Sequence, residues 1–160
     1  MEVARRHPKK VNRLLLLSPA GLTGKPMPIP PLLDQLGVWF LSRPEVRRSL
    51  CRQAFANPDT SVGDPENQIA SIHLKVPGWG RSLAAFARSG GIANLGLPRP
   101  SQPVEVIFGS NDRILSRSQK NEILELFHSN VEEIEKCGHL PHLDCPEKVA
   151  QTWLSKIKKK

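Results

Sequence analysis

Two short strand-like runs in the last third of the chain, the first of them apolar, each end on a loop that carries an ionisable side chain. Val104-Glu105-Val106-Ile107-Phe108 leads into Gly109-Ser110-Asn111-Asp112-Arg113. Val131-Glu132-Glu133-Ile134-Glu135 leads into Cys137-Gly138-His139-Leu140-Pro141-His142. Helix-period sequence, Ser116–Phe127, lies between them. A strand, a helix and a second strand in succession call for parallel strands joined by a crossover helix. Loops leaving the C-terminal ends of such strands face one crevice. Neighbouring strands lie about 4.8 Å apart, so a carboxylate at one strand end can reach an imidazole at the next. Asp112 and His139 are therefore the candidate catalytic residues. The carboxylate would fix the ring's tautomer, and the other ring nitrogen would be free to take a proton from a nucleophile. Acid then histidine is the tail of a chain order that starts with a serine nucleophile. No Gly-x-Ser-x-Gly occurs among the 160 residues.

The remainder reads as one further strand and a long helical block. Met1–Lys10 has the pattern of a helix end stopped at His7-Pro8, and Val11–Ser18 reads as a buried strand. Pro19–Pro31 is a loop with five prolines and two glycines. Leu32–Phe55 is helical in period and divided by Pro44. Asn57–Pro65 is turn-rich, Glu66–Val76 and Arg81–Arg88 read as short helices, and Ser89–Gln102 is again loop. The terminal helix spans Pro146–Lys158. The block between the first two strands is about three times longer than a crossover needs and reads as an inserted lid. Its Trp39, Phe40, Phe55, Trp79 and Phe86 are expected mostly in the core, with one or two facing a substrate pocket.

Composition excludes several classes. No apolar run approaches the roughly 20 residues of a membrane span, and the N-terminus lacks a secretory apolar segment. Three cysteines, Cys51, Cys137 and Cys145, do not make a disulfide framework. A soluble intracellular chain, cytoplasmic or plastid, is the expectation. The net charge of +8 is concentrated partly at the ends, in Arg5, Arg6, Lys9, Lys10, Lys156, Lys158, Lys159 and Lys160. These read as solvated ends, since no basic stripe interleaved with aromatics suggests nucleic acid.

Three other constellations carry less. Gly80-Arg81-Ser82-Leu83-Ala84 places a serine before Asp112 and His139. A nucleophile elbow, however, follows a buried strand, and Ile72–Val76 is interrupted by His73 and Lys75. Ser82 reads instead as a helix N-cap. Ser18 ends a strand but precedes Pro19 with no helix behind it. Cys137, His139, His142 and Cys145 follow a C-x-H-x2-H-x2-C spacing that matches no common structural zinc pattern. Cys137 reads as small packing beside Gly138 and His142 as a pocket neighbour. The expectation is no metal and no cofactor.

Three stretches resemble the cap-bearing α/β-hydrolases. Residues 4–21 (ARRHPKKVNRLLLLSPAG) resemble the stretch after the nucleophile elbow, running through the sixth strand. Residues 103–115 (PVEVIFGSNDRIL) resemble the seventh strand and acid loop, where Asp112 matches the catalytic acid. Residues 131–157 (VEEIEKCGHLPHLDCPEKVAQTWLSKI) resemble the eighth strand, histidine loop and last helix, where His139 matches the catalytic base. The resemblance implies an α/β fold reduced to a C-terminal portion. It would have a three-stranded parallel sheet in sequence order, core segments 1–30 and 92–160, and a helical cap over 31–91 that covers Asp112 and His139. It implies a parent enzyme that hydrolyses a small apolar ester or related carbonyl bond through a Ser-His-Asp triad. This chain, lacking the nucleophile and the oxyanion hole, would be inactive alone. The other expectation is a non-catalytic pseudoenzyme or interaction protein, self-associating through the Val11–Leu17 edge.

Overall fold

The computed structural model describes residues 1–158; Lys159 and Lys160, part of the basic C-terminus, lie outside the described residues. Three parallel strands form one sheet in the order β1 (Leu14–Leu17), β2 (Val104–Gly109), β3 (Val131–Ile134). Leu14 pairs with Val104 and Leu17 with Ile107 across β1 and β2; Val106 pairs with Val131 and Gly109 with Ile134 across β2 and β3. The first and last strands are shorter than the apolar patterns suggested. Val11 to Arg13 and Glu135 lie outside the ladder.

The pleat divides the strand side chains between two layers. Leu14, Leu16, Val104, Val106 and Phe108 pack on one face with Leu115, Ile123 and Phe127. Leu15, Leu17, Ile107 and Ile134 pack on the other with Cys137 and Val149. Ile123 and Phe127 come from α7 (Arg117–Phe127), one turn apart, and Val149 from α9 (Pro146–Lys158). Helices thus cover both faces, the arrangement that alternating strands and helices require. The start of α7 is fixed locally. Ser116 Oγ accepts from Gln119 N at 3.2 Å and Gln119 Oε1 accepts from Ser116 N at 2.9 Å, a reciprocal cap.

All six residues of β2 are buried, Glu105 included. Arg13 at 3.6 Å and Lys156 at 4.0 Å supply the opposite charge that a buried carboxylate needs.

Between β1 and β2 the chain leaves the sheet for a helical insertion. It begins after the short α1 (Glu2–Arg6) and β1, and comprises α2 (Leu33–Ser42), α3 (Pro44–Gln53), α4 (Pro58–Ser61), α5 (Asp64–Ser71) and α6 (Trp79–Arg88). The α2–α3 break falls where the sequence places it. Arg43 is extended (φ −72°, ψ 133°) because it precedes a proline, and Pro44 opens α3. Asp34 of α2 is buried; its Oδ1 accepts from Gln35 N at 2.7 Å and its Oδ2 pairs with Arg88 of α6. Arg47 of α3 donates to Ala70 O and to the His73 ring, tying α3 to α5 and the turn after it.

Several local expectations are corrected. Of the five aromatics expected mostly in the core, only Phe55 is buried; Trp79 is half-buried, and Trp39, Phe40 and Phe86 are exposed at 56%, 51% and 45%. Trp39 and Phe40, with Leu32, Leu33 and Leu36, leave α2 with an apolar outer face, because α2 packs mainly on α6 and α3. Ser82 is not an N-cap. It lies inside α6, exposed, with its N–H bonded to Gly78 O at 3.0 Å, and a 3-10 turn rather than a strand precedes it. The turn-rich Asn57–Pro65 contains α4, and the histidine loop contains a further short helix, α8 (Pro141–Asp144). No described helix is long and apolar enough to cross a membrane.

Candidate active site

Asp112 lies three residues beyond β2 in a loop closed by its own carboxylate. Oδ1 accepts from Ile114 N at 2.8 Å and Leu115 N at 3.0 Å, and Oδ2 accepts from His139 Nδ1 at 2.9 Å. Burial pushes this carboxyl up. The Leu115 N–H, the His139 ring and the Ile114 N–H outweigh it and hold Asp112 below the usual carboxylate range. An ionised carboxylate can only accept, so the proton of this hydrogen bond belongs to Nδ1. In the neutral ring this puts the lone pair on Nε2, and among the described residues Nε2 makes no hydrogen bond. The Asp112 side chain is fully buried, whereas that of His139 is 19% exposed. The acid is shielded while the base reaches the surface.

The two loops are stitched together by backbone. Ser110 N donates to Ile134 O and Asn111 N to Cys137 O, each at 2.9 Å; Lys136 N donates to Ser110 Oγ at 3.0 Å. The helical insertion docks on the histidine loop through the turn after α3. His139 N donates to Ala54 O at 2.8 Å, and Arg113 donates to Ala56 O at 3.2 Å. Asp144 completes the joint: its Oδ2 accepts from Gly138 N at 2.6 Å and from Ala56 N at 2.9 Å. Asp144 is the site residue that pattern reading missed. Its only sequence signal is an acid closing the short His-Leu-Pro-His-Leu-Asp stretch, which is common in turns.

Gly109 and Gly138 are needed here for space rather than for turn freedom. Neither has positive φ. A Cβ on Gly109 would collide with the carbonyls of Cys137 and Gly138, and one on Gly138 would meet Ala54 O at 2.5 Å and Ala56 N at 2.7 Å. Because those neighbours are backbone, they cannot step aside by a rotamer change. Gly138→Ala is therefore expected to destabilise the fold by about 1–3 kcal/mol. It should also raise hydrogen exchange at the His139 and Ala56 amides, which lose their partners together. Unchanged exchange and melting would show that the insertion does not dock on this loop.

Between α3, α5 and the histidine loop lies a cleft of about 400 Å³, lined by Cys51, Ala54, Phe55, Ile69, Leu140 and Leu143 among others. It is bordered by the residue that follows His139. His142, expected to line a pocket, is exposed and is not part of this cleft. Nor do the four residues weighed as metal ligands come together. The ligand atoms of Cys137 and Cys145 lie within 4.8 Å of each other and of Asp144, without either histidine. His139 faces Asp112, Asp144 is committed to two amides, and burial pushes the Cys137 thiol up to about 12, with Cys145 reinforcing it. A thiol held that firmly protonated is a poor ligand.

A parallel sheet covered by helices on both faces agrees with comparison to known sequences. The alpha/beta hydrolase family model matches residues 2–152. The chain belongs to the alpha/beta hydrolase family. It is 25% identical over 151 residues to the alpha/beta hydrolase domain-containing protein VTE7 of Arabidopsis thaliana, covering 91% of this chain and 46% of that protein. It thus spans about half the length of this family relative. Solved structures show the same fold. The 2-hydroxy-6-oxo-6-phenylhexa-2,4-dienoate hydrolase of Rhodococcus sp. strain RHA1 superposes with a TM-score of 0.70 at 17% identity, over 98% of this chain and 59% of that one. An esterase of Exiguobacterium antarcticum gives 0.63 at 21% identity, over 93% and 58%.

Proposed function

We propose that this chain supplies the acid and the base of a Ser-His-Asp hydrolase acting on an ester or related carbonyl bond. The observation that supports it is the 2.9 Å bond between an ionised, buried Asp112 and Nδ1 of a His139 whose Nε2 has no partner among the described residues. In this reading Nε2 takes the hydroxyl proton of a serine as its oxygen attacks the substrate carbonyl. It then returns that proton to the departing alkoxide, leaving an acyl-enzyme. Water attacks the acyl-enzyme in the second half, with Nε2 again accepting a proton and giving it back to the serine. Asp112 holds the ring and stabilises the imidazolium that forms twice. The helical insertion, residues 31–91, acts as a cap, and the cleft beside Leu140 takes the apolar part of a small substrate.

The serine belongs to a Gly-x-Ser-x-Gly segment that these 160 residues do not contain. The 160-residue chain alone is expected to show no turnover of p-nitrophenyl esters above a His139→Ala control. A longer form carrying a Gly-x-Ser-x-Gly segment ahead of Met1 should hydrolyse them. Activity of the pure 160-residue chain that survives in His139→Ala would remove the proposal.

One observation favours a second reading, a non-catalytic interaction protein. Among the described residues β1 has a neighbour on one side only, and none of its four leucines is fully buried. Such an edge can add a strand from another chain.

A further inference from the structure

On the side of α3 away from the apolar cleft there is a second concavity of about 400 Å³, and its character is opposite. Arg48 and Arg52 enter it from α3, one turn apart. Arg113 enters from the acid loop, next to Asp112. Ser49 and Gln53 add neutral donors, and Glu45 is the one acid of the lining. Two of the three guanidiniums are held in place by bonds that leave donors free. Arg113 gives one N–H to Ala56 O at 3.2 Å, and Arg52 pairs through one nitrogen with Asp59 at 2.5 Å. Asp59 offsets Arg52, but Arg48 and Arg113 face the same concavity as like charges with no acid paired to either among the described residues. That arrangement is stabilised by an anion able to accept several forked hydrogen bonds.

We propose that this concavity binds a phosphate group, bridging the helical insertion to the acid loop. A phosphate offers more acceptor oxygens and more charge than a carboxylate, which suits donors that approach from two separate elements. With Arg48 on one side and Arg113 on the other, bound phosphate ties α3 to the loop of Asp112. The volume exceeds that of a lone phosphate and leaves room for the group that carries it. Free phosphate compounds and a phospholipid headgroup share this chemistry.

Equilibrium dialysis with radiolabelled inorganic phosphate, at ionic strength held constant with chloride, tests the free source. Sedimentation with phosphatidylcholine vesicles containing or lacking phosphatidic acid tests the lipid source. Saturable binding in either arm is expected to weaken at least tenfold in Arg48→Ala and in Arg113→Ala. It should be unchanged in Arg81→Ala, a surface control on α6. Phosphate binding identifies a soluble ligand, and vesicle binding alone identifies a headgroup. Circular dichroism of each variant shows whether its fold persists, and Arg48→Lys should recover part of the affinity. No saturable binding in either arm, or equal binding by the Arg48→Ala/Arg113→Ala double variant, overturns the proposal.

Discussion

Asp112→Asn is expected to lower kcat of an ester-hydrolysing form of this protein by about 10,000-fold while changing KM little. The side-chain oxygen that accepts from Ile114 N and Leu115 N can be retained by asparagine, so the loop keeps its closure. What changes is the group facing His139. An amide NH2 there donates where the carboxylate accepted, so Nδ1 must become the acceptor and the ring proton moves to Nε2. The nitrogen that has to receive the serine proton is then already protonated. The loss is one of tautomer and of imidazolium stabilisation, and the unchanged KM distinguishes it from a collapsed pocket. A loss of less than tenfold, with near-native circular dichroism, would show that Asp112 does not orient His139 for catalysis. Since Asp112 is held below the usual carboxylate range, its ionisation stabilises the fold at neutral pH. That stabilisation is fully present above the usual carboxylate range and is lost as the pH falls from there through the lower folded value.

The 160-residue chain by itself is expected to self-associate. Leu14 N donates to Pro103 O and Ser18 N to Ile107 O, both across to β2. With a two-residue period, the N–H groups of Leu15 and Leu17 therefore point away from β2, toward the open side. The outer face of α2 adds Leu32 at 83% exposure and Leu33, Leu36 and Trp39 at 56% each, and the one exposed charge beside it is Arg43 over the Trp39 ring at the helix end. Covering one such side chain gains roughly 1.5–3 kcal/mol, against a total native stability of about 5–15 kcal/mol. Size-exclusion chromatography should show a species larger than the 17.8 kDa chain, growing with concentration. Leu15→Pro removes an edge donor without removing a bond to β2, and should shift the equilibrium toward monomer. A concentration-independent monomer that melts sharply and reversibly would refute the prediction.

Much of the frame was legible in order and period. Val104–Phe108 reads as a strand because four of its five residues are apolar and a glycine follows. Ser116 with Gln119 marks a helix start wherever it occurs before an apolar period. Pro44 had to break the Leu32–Phe55 helix, since a proline restricts the residue before it. Asp112 and His139 were legible for a related reason. Parallel strands in sequence order put their C-terminal loops side by side, so chain order already implied proximity.

The sequence by itself determined the alternation of strands and helices, the acid-and-histidine pair and the helical insertion, because each follows from local pattern and the order of segments along the chain. Only the tertiary structure decided what meets across long separations. Ala54 and Ala56 lie on the histidine loop more than 80 positions away, and that contact leaves no periodic trace. It explains why position 138 must be glycine, for want of room rather than for a turn, and why Asp144 matters. The exposure of Trp39, Phe40 and Phe86 was likewise decided by packing. An apolar helix face reads the same whether or not a neighbour covers it, and here α2 finds cover on only part of its circumference. The gathering of Arg48, Arg52 and Arg113 has the same origin. Two of these residues share a helix, and the third reaches them only because the insertion folds back onto the loop after β2.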